Sequence, residues 1–143
     1  MARAPWYSTT ALVLVIAGGA VGVAARAAIT LPIPTDAHPL LVPAVTLGEN
    51  LLGAFLLGLV VGIVDDRFPR ARLFFGTGTL GGFTTYSAFA VHAVTVSSAS
   101  PPLGLVLIAL SLIGGVFAAA LGLVLGRRIA GVPNGIEQPE DAE

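Results

Sequence analysis

The chain has 143 residues, of which 55% are hydrophobic and only 10% charged, with a mean hydropathy of +0.92. An average soluble domain carries roughly 25% charged residues, so the composition is that of an integral membrane protein. It contains no Cys and no Lys. Disulfides, thiolate metal sites, Schiff-base chemistry and the phosphate-binding lysine of a Walker A loop are therefore excluded, and the net charge of -1 with no basic run offers nothing to nucleic acid.

Four apolar segments approach the ~20 residues that a membrane-spanning helix needs. They run from Thr10 to Leu31, Leu40 to Val64, Leu73 to Val96 and Leu103 to Gly126. The connections "PIPTDAHP", "DDRFPRAR" and "SSASPP" are short and carry proline or charge, which stops a helix. Residues 1–130 thus read as one four-span bundle, and residues 131–143 as an acidic, disordered tail. Arg3, Arg67, Arg70, Arg72, Arg127 and Arg128 all fall on the side shared by the termini and the middle loop. The positive-inside rule places both termini in the cytoplasm of a multi-pass cell-membrane protein.

Small residues recur at helical spacing at Gly18 and Gly22, at Gly58 and Gly62, and at Ala118, Gly122 and Gly126. Such stripes let backbones approach where lipid gives no hydrophobic drive for association, and they imply packing without chemistry. Polar residues at membrane depth say more, because each must be satisfied. Arg26, Glu49, Asn50 and His92 qualify. Arg26 is close enough to the end of the first segment to snorkel, Asn50 can make an interhelical hydrogen bond or serve a pathway, and Glu49 must pair with a cation or hold a proton.

The third segment contains "GTGTLGGFTTYSAFA", residues 76–90. Gly76, Gly78, Gly81 and Gly82 each weaken a helix, and the Thr and Ser hydroxyls offer the backbone other partners. A local break is expected. In hydrocarbon, freed carbonyls are tolerated only where they are buried in protein, wetted or bound to an ion, and a hard cation such as Na⁺ suits them.

With "GGAVGVAAR" and "GENLLGAFLLG" in the first two segments and "GTGTLGGFTTYSAF" in the third, the chain resembles the Fluc (CrcB) family of fluoride channels over nearly its whole length. The resemblance implies an all-α membrane protein of four transmembrane helices, broken in the third, packed as an antiparallel dimer with a central structural Na⁺. Carried over by position, the Na⁺ carbonyls fall on Gly81 and Thr84, and the pathway residues on Asn50, Tyr86, Ser87, Phe89 and Arg26, with Ser111 a further polar member. Fluoride is small and strongly hydrated, so its path must replace water with amide N–H, hydroxyl and aromatic-edge donors.

The sequence departs from the family pattern at four positions. Tyr86 stands where Phe is usual, Ala88 where a hydroxyl is usual, His92 where glutamate is common, and Glu49 precedes Asn50. The arginine bias also disfavours one sequence inserting in both orientations, which raises pairing with an oppositely oriented paralogue as an alternative to a homodimer. The expected function is passive fluoride export by a channel subunit, not an enzyme. A proton-coupled subunit like the small multidrug-resistance transporters is the alternative that Glu49 suggests, although the first span lacks the carboxylate which that family resembles.

Overall fold

The computed structural model describes residues 8–64 and 68–131. Arg3, Asp65, Asp66, Arg67 and the acidic tail from residue 132 lie outside the described residues. Those described are helical, with short turns and no strand among them. Helix α1 spans Thr9–Thr30 and α2 spans Leu41–Val64. After a single turn at Pro69–Ala71, the chain forms a π-helix over Arg72–Leu80 and a short α-turn over Gly81–Phe83. Helix α3 then spans Tyr86–Ala99, and α4 spans Pro101–Ile129 with proline at its first positions, where a missing N–H costs nothing.

Three of these helices, α1, α2 and α4, are long and apolar enough to cross a membrane. Their large apolar side chains point outward: Ile16 is 61% exposed, Val116 and Phe117 each 70%. Apart from glycines, the buried apolar residues among those described are Pro43, Leu80, Phe83, Ala93 and Val96. An apolar exterior around a core of small residues is the pattern expected of a chain solvated by lipid.

Glycine builds the interior. The most extensive interface joins α2 to α4, and the next joins α1 to the π-helix. A Cβ on Gly62 would stand 2.9 Å from the Cα of Gly126, and one on Gly78 would stand 2.9 Å from the Cα of Gly18, so both contacts are backbone against backbone. Real Cβ atoms essentially never come this close. The small-residue stripes in the first, second and fourth segments therefore find these partners.

The third apolar segment is where the chain departs most from regular helix. The glycines of residues 76–82 stay helical, in the π-helix and the turn that follows it, where Gly78 and Gly82 admit α1 and Gly76 faces Leu57 and Val60 of α2. Nine residues is long for a π-helix, which usually occurs as a single turn. The Thr79 hydroxyl donates to the Phe74 carbonyl five residues back, at 3.0 Å, and so supports the wide turn. Extended backbone comes later, at Thr84 (φ -79°, ψ 155°) and Thr85 (φ -144°, ψ 111°). Glycine was the sequence signal for a break, yet the two extended residues are threonines. Extended φ/ψ is native to β-branched residues, whereas close packing on α1 needs the glycines.

Candidate functional site

Two hydrogen bonds from one side chain define the site. The Thr85 N–H donates to Asn50 Oδ1 at 2.8 Å, and Asn50 Nδ2 donates to the Thr85 carbonyl at 3.1 Å. The amide of α2 thus docks edge to edge on the backbone of an extended residue 35 positions away. In a continuous helix the Thr85 N–H would bond the Gly81 carbonyl. Asn50 diverts it.

A second diversion lies one turn on. Thr85 is the N-cap of α3, and its Oγ1 accepts from the Ala88 N–H at 3.2 Å. Capping by a threonine hydroxyl stabilises a helix start by about 1 kcal/mol. It also takes the donor that a continuous helix would give to the Thr84 carbonyl. The Gly81 and Thr84 carbonyls, assigned to Na⁺ by resemblance, are therefore the two acceptors whose helical donors are redirected by Asn50 and Thr85. Oxygens freed in this way suit a hard cation.

A cavity of about 660 Å³ opens beside these residues. It is lined by Asn50, Gly81, Thr84, Tyr86, Phe89 and Ser111, so six of the eight expected site residues meet at one void. The Tyr86 and Phe89 rings lie 6.0 Å apart at 52°, one helical turn apart on α3. Tyr86 is 82% exposed, which leaves the cavity open on that side. The Ser111 hydroxyl is buried with no hydrogen-bond partner.

Two expected residues do not line this cavity. Ser87 instead places its hydroxyl 3.3 Å from Thr85 Oγ1, next to the cap. Arg26 sits on α1, half-buried, with its Nε buried and unpartnered. Glu49 is 4% exposed and both of its carboxyl oxygens lack a hydrogen-bond partner. His92 lines a separate pocket of about 190 Å³ with Pro39, Pro43 and Thr95.

Three contributors were not singled out from the sequence. Arg72 and Thr77 line the cavity toward the start of the π-helix, and Thr85 organises its centre. For Thr85 a local signal existed, a hydroxyl residue immediately before a helical run. Arg72 was read only as a topology marker, since nothing in its neighbours marks it as facing a void.

Comparison with known proteins decides the lineage. Residues 13–123 match the family model described as CrcB-like protein, Camphor Resistance (CrcB). The chain belongs to the CrcB family. Among CrcB relatives, the Bacillus subtilis (strain 168) protein named "Fluoride-specific ion channel FluC 2" is 40% identical over 120 residues, covering 82% of this chain and 88% of the relative. The Thermosipho melanesiensis protein named "Fluoride-specific ion channel FluC" is 41% identical, covering 80% of this chain and 94% of its own length. A Leifsonia xyli relative named "Fluoride-specific ion channel FluC 2" is 42% identical across 82% of this chain.

Proposed function

We propose that this CrcB chain is a subunit of a fluoride-selective channel that lets fluoride leave the cytoplasm passively and so confers fluoride resistance. The observation that carries the reading is the cavity at which Asn50, Tyr86, Phe89 and Ser111 meet, in a chain about 40% identical to proteins named fluoride-specific channels. It is a membrane channel and not an enzyme. Fluoride sheds hydration only where other donors replace it. Asn50 uses one amide N–H on Thr85, which fixes its orientation and leaves the second N–H for the anion. The Ser111 hydroxyl and the ring edges of Tyr86 and Phe89 extend the series of donors.

The π-helix, the turn and α3 together form the third crossing, with Thr84 and Thr85 as its break and both termini in the cytoplasm. Two copies, or this chain and an oppositely oriented paralogue, pack antiparallel. Na⁺ at the dimer centre is held by the Gly81 and Thr84 carbonyls and neutralises their dipoles. Support for the cation comes from the diverted Thr85 and Ala88 donors. Arg26, close to the outer end of α1, enriches anions at the mouth of the pathway.

Fluoride efflux from liposomes containing the purified chain, alone and with a neighbouring paralogue, tests the function. Electrode-detected efflux in either arm supports the channel, and its absence in both overturns it. Gly81 tests the dimeric cation site. A Cβ there meets nothing within 4 Å in the protomer and φ is -64°, so Gly81→Val is tolerated by the isolated fold. Loss of dimer with a folded protomer is the expected outcome, and retained assembly would remove Gly81 from the site.

A further inference from the structure

Arg26 and Glu49 have no role together in the channel chemistry described above, yet the packing directs them to one place. Phe83 sits between α1 and α2: a Cβ on Gly22 would lie 2.7 Å from the Phe83 nitrogen, and one on Gly53 would lie 3.4 Å from its ring. Helix α1 runs parallel to the 74–83 segment, because Gly18 meets Phe74 and Gly78 while Gly22 meets Phe83. Helix α2 runs antiparallel to it, because Gly53 meets Phe83 while Leu57 and Val60 meet Gly76. One turn beyond Gly22 on α1 is Arg26, and one turn before Gly53 on α2 is Glu49. Both steps lead past Phe83 in the same direction, toward the connection at residues 31–40.

Each residue is the only charged group of its helix. Arg26 Nε and both Glu49 oxygens are buried and lack a hydrogen-bond partner. Of the other ionisable groups, His92 lies in its own pocket, Arg72 lies at the far end of the main cavity beside Gly76, and Asp36 and His38 are exposed in the 31–40 connection. Helices α1 and α2 otherwise barely touch. Buried charges persist in low dielectric when they are paired.

We propose that Arg26 and Glu49 form a buried charge pair across Phe83, and that Glu49 is a positioning residue which holds Arg26 and offsets part of its attraction for the permeating anion. The proposal rests on the channel reading for its effect on flux, but the pair itself also has a consequence for the stability of the protomer.

The test compares wild type, E49Q, R26Q and the double variant in liposomes, recording fluoride flux against fluoride concentration in whichever subunit composition the wild type conducts. E49Q leaves the guanidinium uncompensated and lowers the half-saturating fluoride concentration about three- to tenfold, the effect of one partly screened charge near the path. In the R26Q background the same E49Q change has no effect beyond about twofold, because a buried carboxyl without its cation takes up a proton and resembles Gln. An equal shift in both backgrounds means that Glu49 acts on the anion directly, and a silent E49Q means that it carries no compensating charge; either overturns the pair. Protomer stability supplies the second readout. R26E alone places two buried carboxylates near Phe83 and lowers the thermal unfolding temperature in detergent, and R26E with E49R recovers most of that loss; a swap no better than R26E alone overturns the proposal. Wild type without flux would sink the channel reading and leave this stability arm to judge the pair.

Discussion

The α2–α4 pair and the α1–π-helix pair begin from the same device and end differently. Both bring backbones together through glycine, at Gly62 with Gly126 and at Gly18 with Gly78. Helices α2 and α4 stay regular throughout, so their N–H and C=O groups are consumed internally. The chain leaving the π-helix instead spends two N–H groups on Asn50 and on the Thr85 hydroxyl, and its neighbouring carbonyls lose their helical donors. Close packing alone makes a scaffold. Close packing followed by diverted hydrogen bonds leaves backbone carbonyls without their helical donors, and regular helix at α2 is what holds Asn50 in position to do the diverting.

The comparison can be broken most severely on the scaffold side. Gly122→Leu drives a side chain into the α2 backbone at Phe55 and Leu59, where no rotamer gives relief. Overpacking against backbone exceeds the usual ~1–3 kcal/mol, and the expected result is no folded protein in detergent extracts. Asn50→Ala acts on the other side. It removes both partners of the Thr85 backbone and leaves an N–H and a carbonyl unsatisfied, at about 1–3 kcal/mol each. Fluoride efflux should fall at least about tenfold, while thermal unfolding still shows a cooperative transition.

Phe89→Ile keeps apolar volume and removes the ring edge, so it sharpens the distinction between holding the fold and passing the anion. Efflux slows about tenfold or more with the unfolding temperature nearly unchanged; equal loss of both would make Phe89 a scaffold residue. Thr85→Ala removes the cap of α3 and leaves the Ala88 N–H without its acceptor. It costs about 1 kcal/mol, which Thr85→Ser recovers, as measured by thermal unfolding. Tyr86→Phe is the mildest change. It deletes one exposed hydroxyl and should alter efflux by no more than about threefold.

Much of the scaffold could be read from the chain alone, because apolar length and the proline-bearing connections act locally. The first segment, expected from Thr10 to Leu31, is a helix over Thr9–Thr30, and the second begins one residue from its expected start. The glycine stripes announced close contacts but not their partners, since spacing along one helix carries no information about the facing one. The third segment was harder to read for the same reason. Its glycines look like helix breakers until Gly78 is seen against Gly18 and Gly82 against Gly19, whereupon these two become contact surfaces. Asn50 was recognised as a polar residue needing a partner, but the bond to Thr85 spans a sequence distance that no local periodicity reports. Six site residues converge on the cavity because resemblance supplied them by position; Arg72 and Thr77 had no such guide.

The π-helix over Arg72–Leu80 sets an angular register. A π-turn holds one residue more than an α-turn, and each residue of an α-helix advances the chain by about 100°. Rewinding this stretch as ordinary α-helix at unchanged length would rotate everything downstream by roughly that angle for each wide turn lost. Thr85 would then face away from Asn50. The wide coil works as a phase shifter, aiming the threonines that follow, and its hydrogen-bond register is as constrained as its composition.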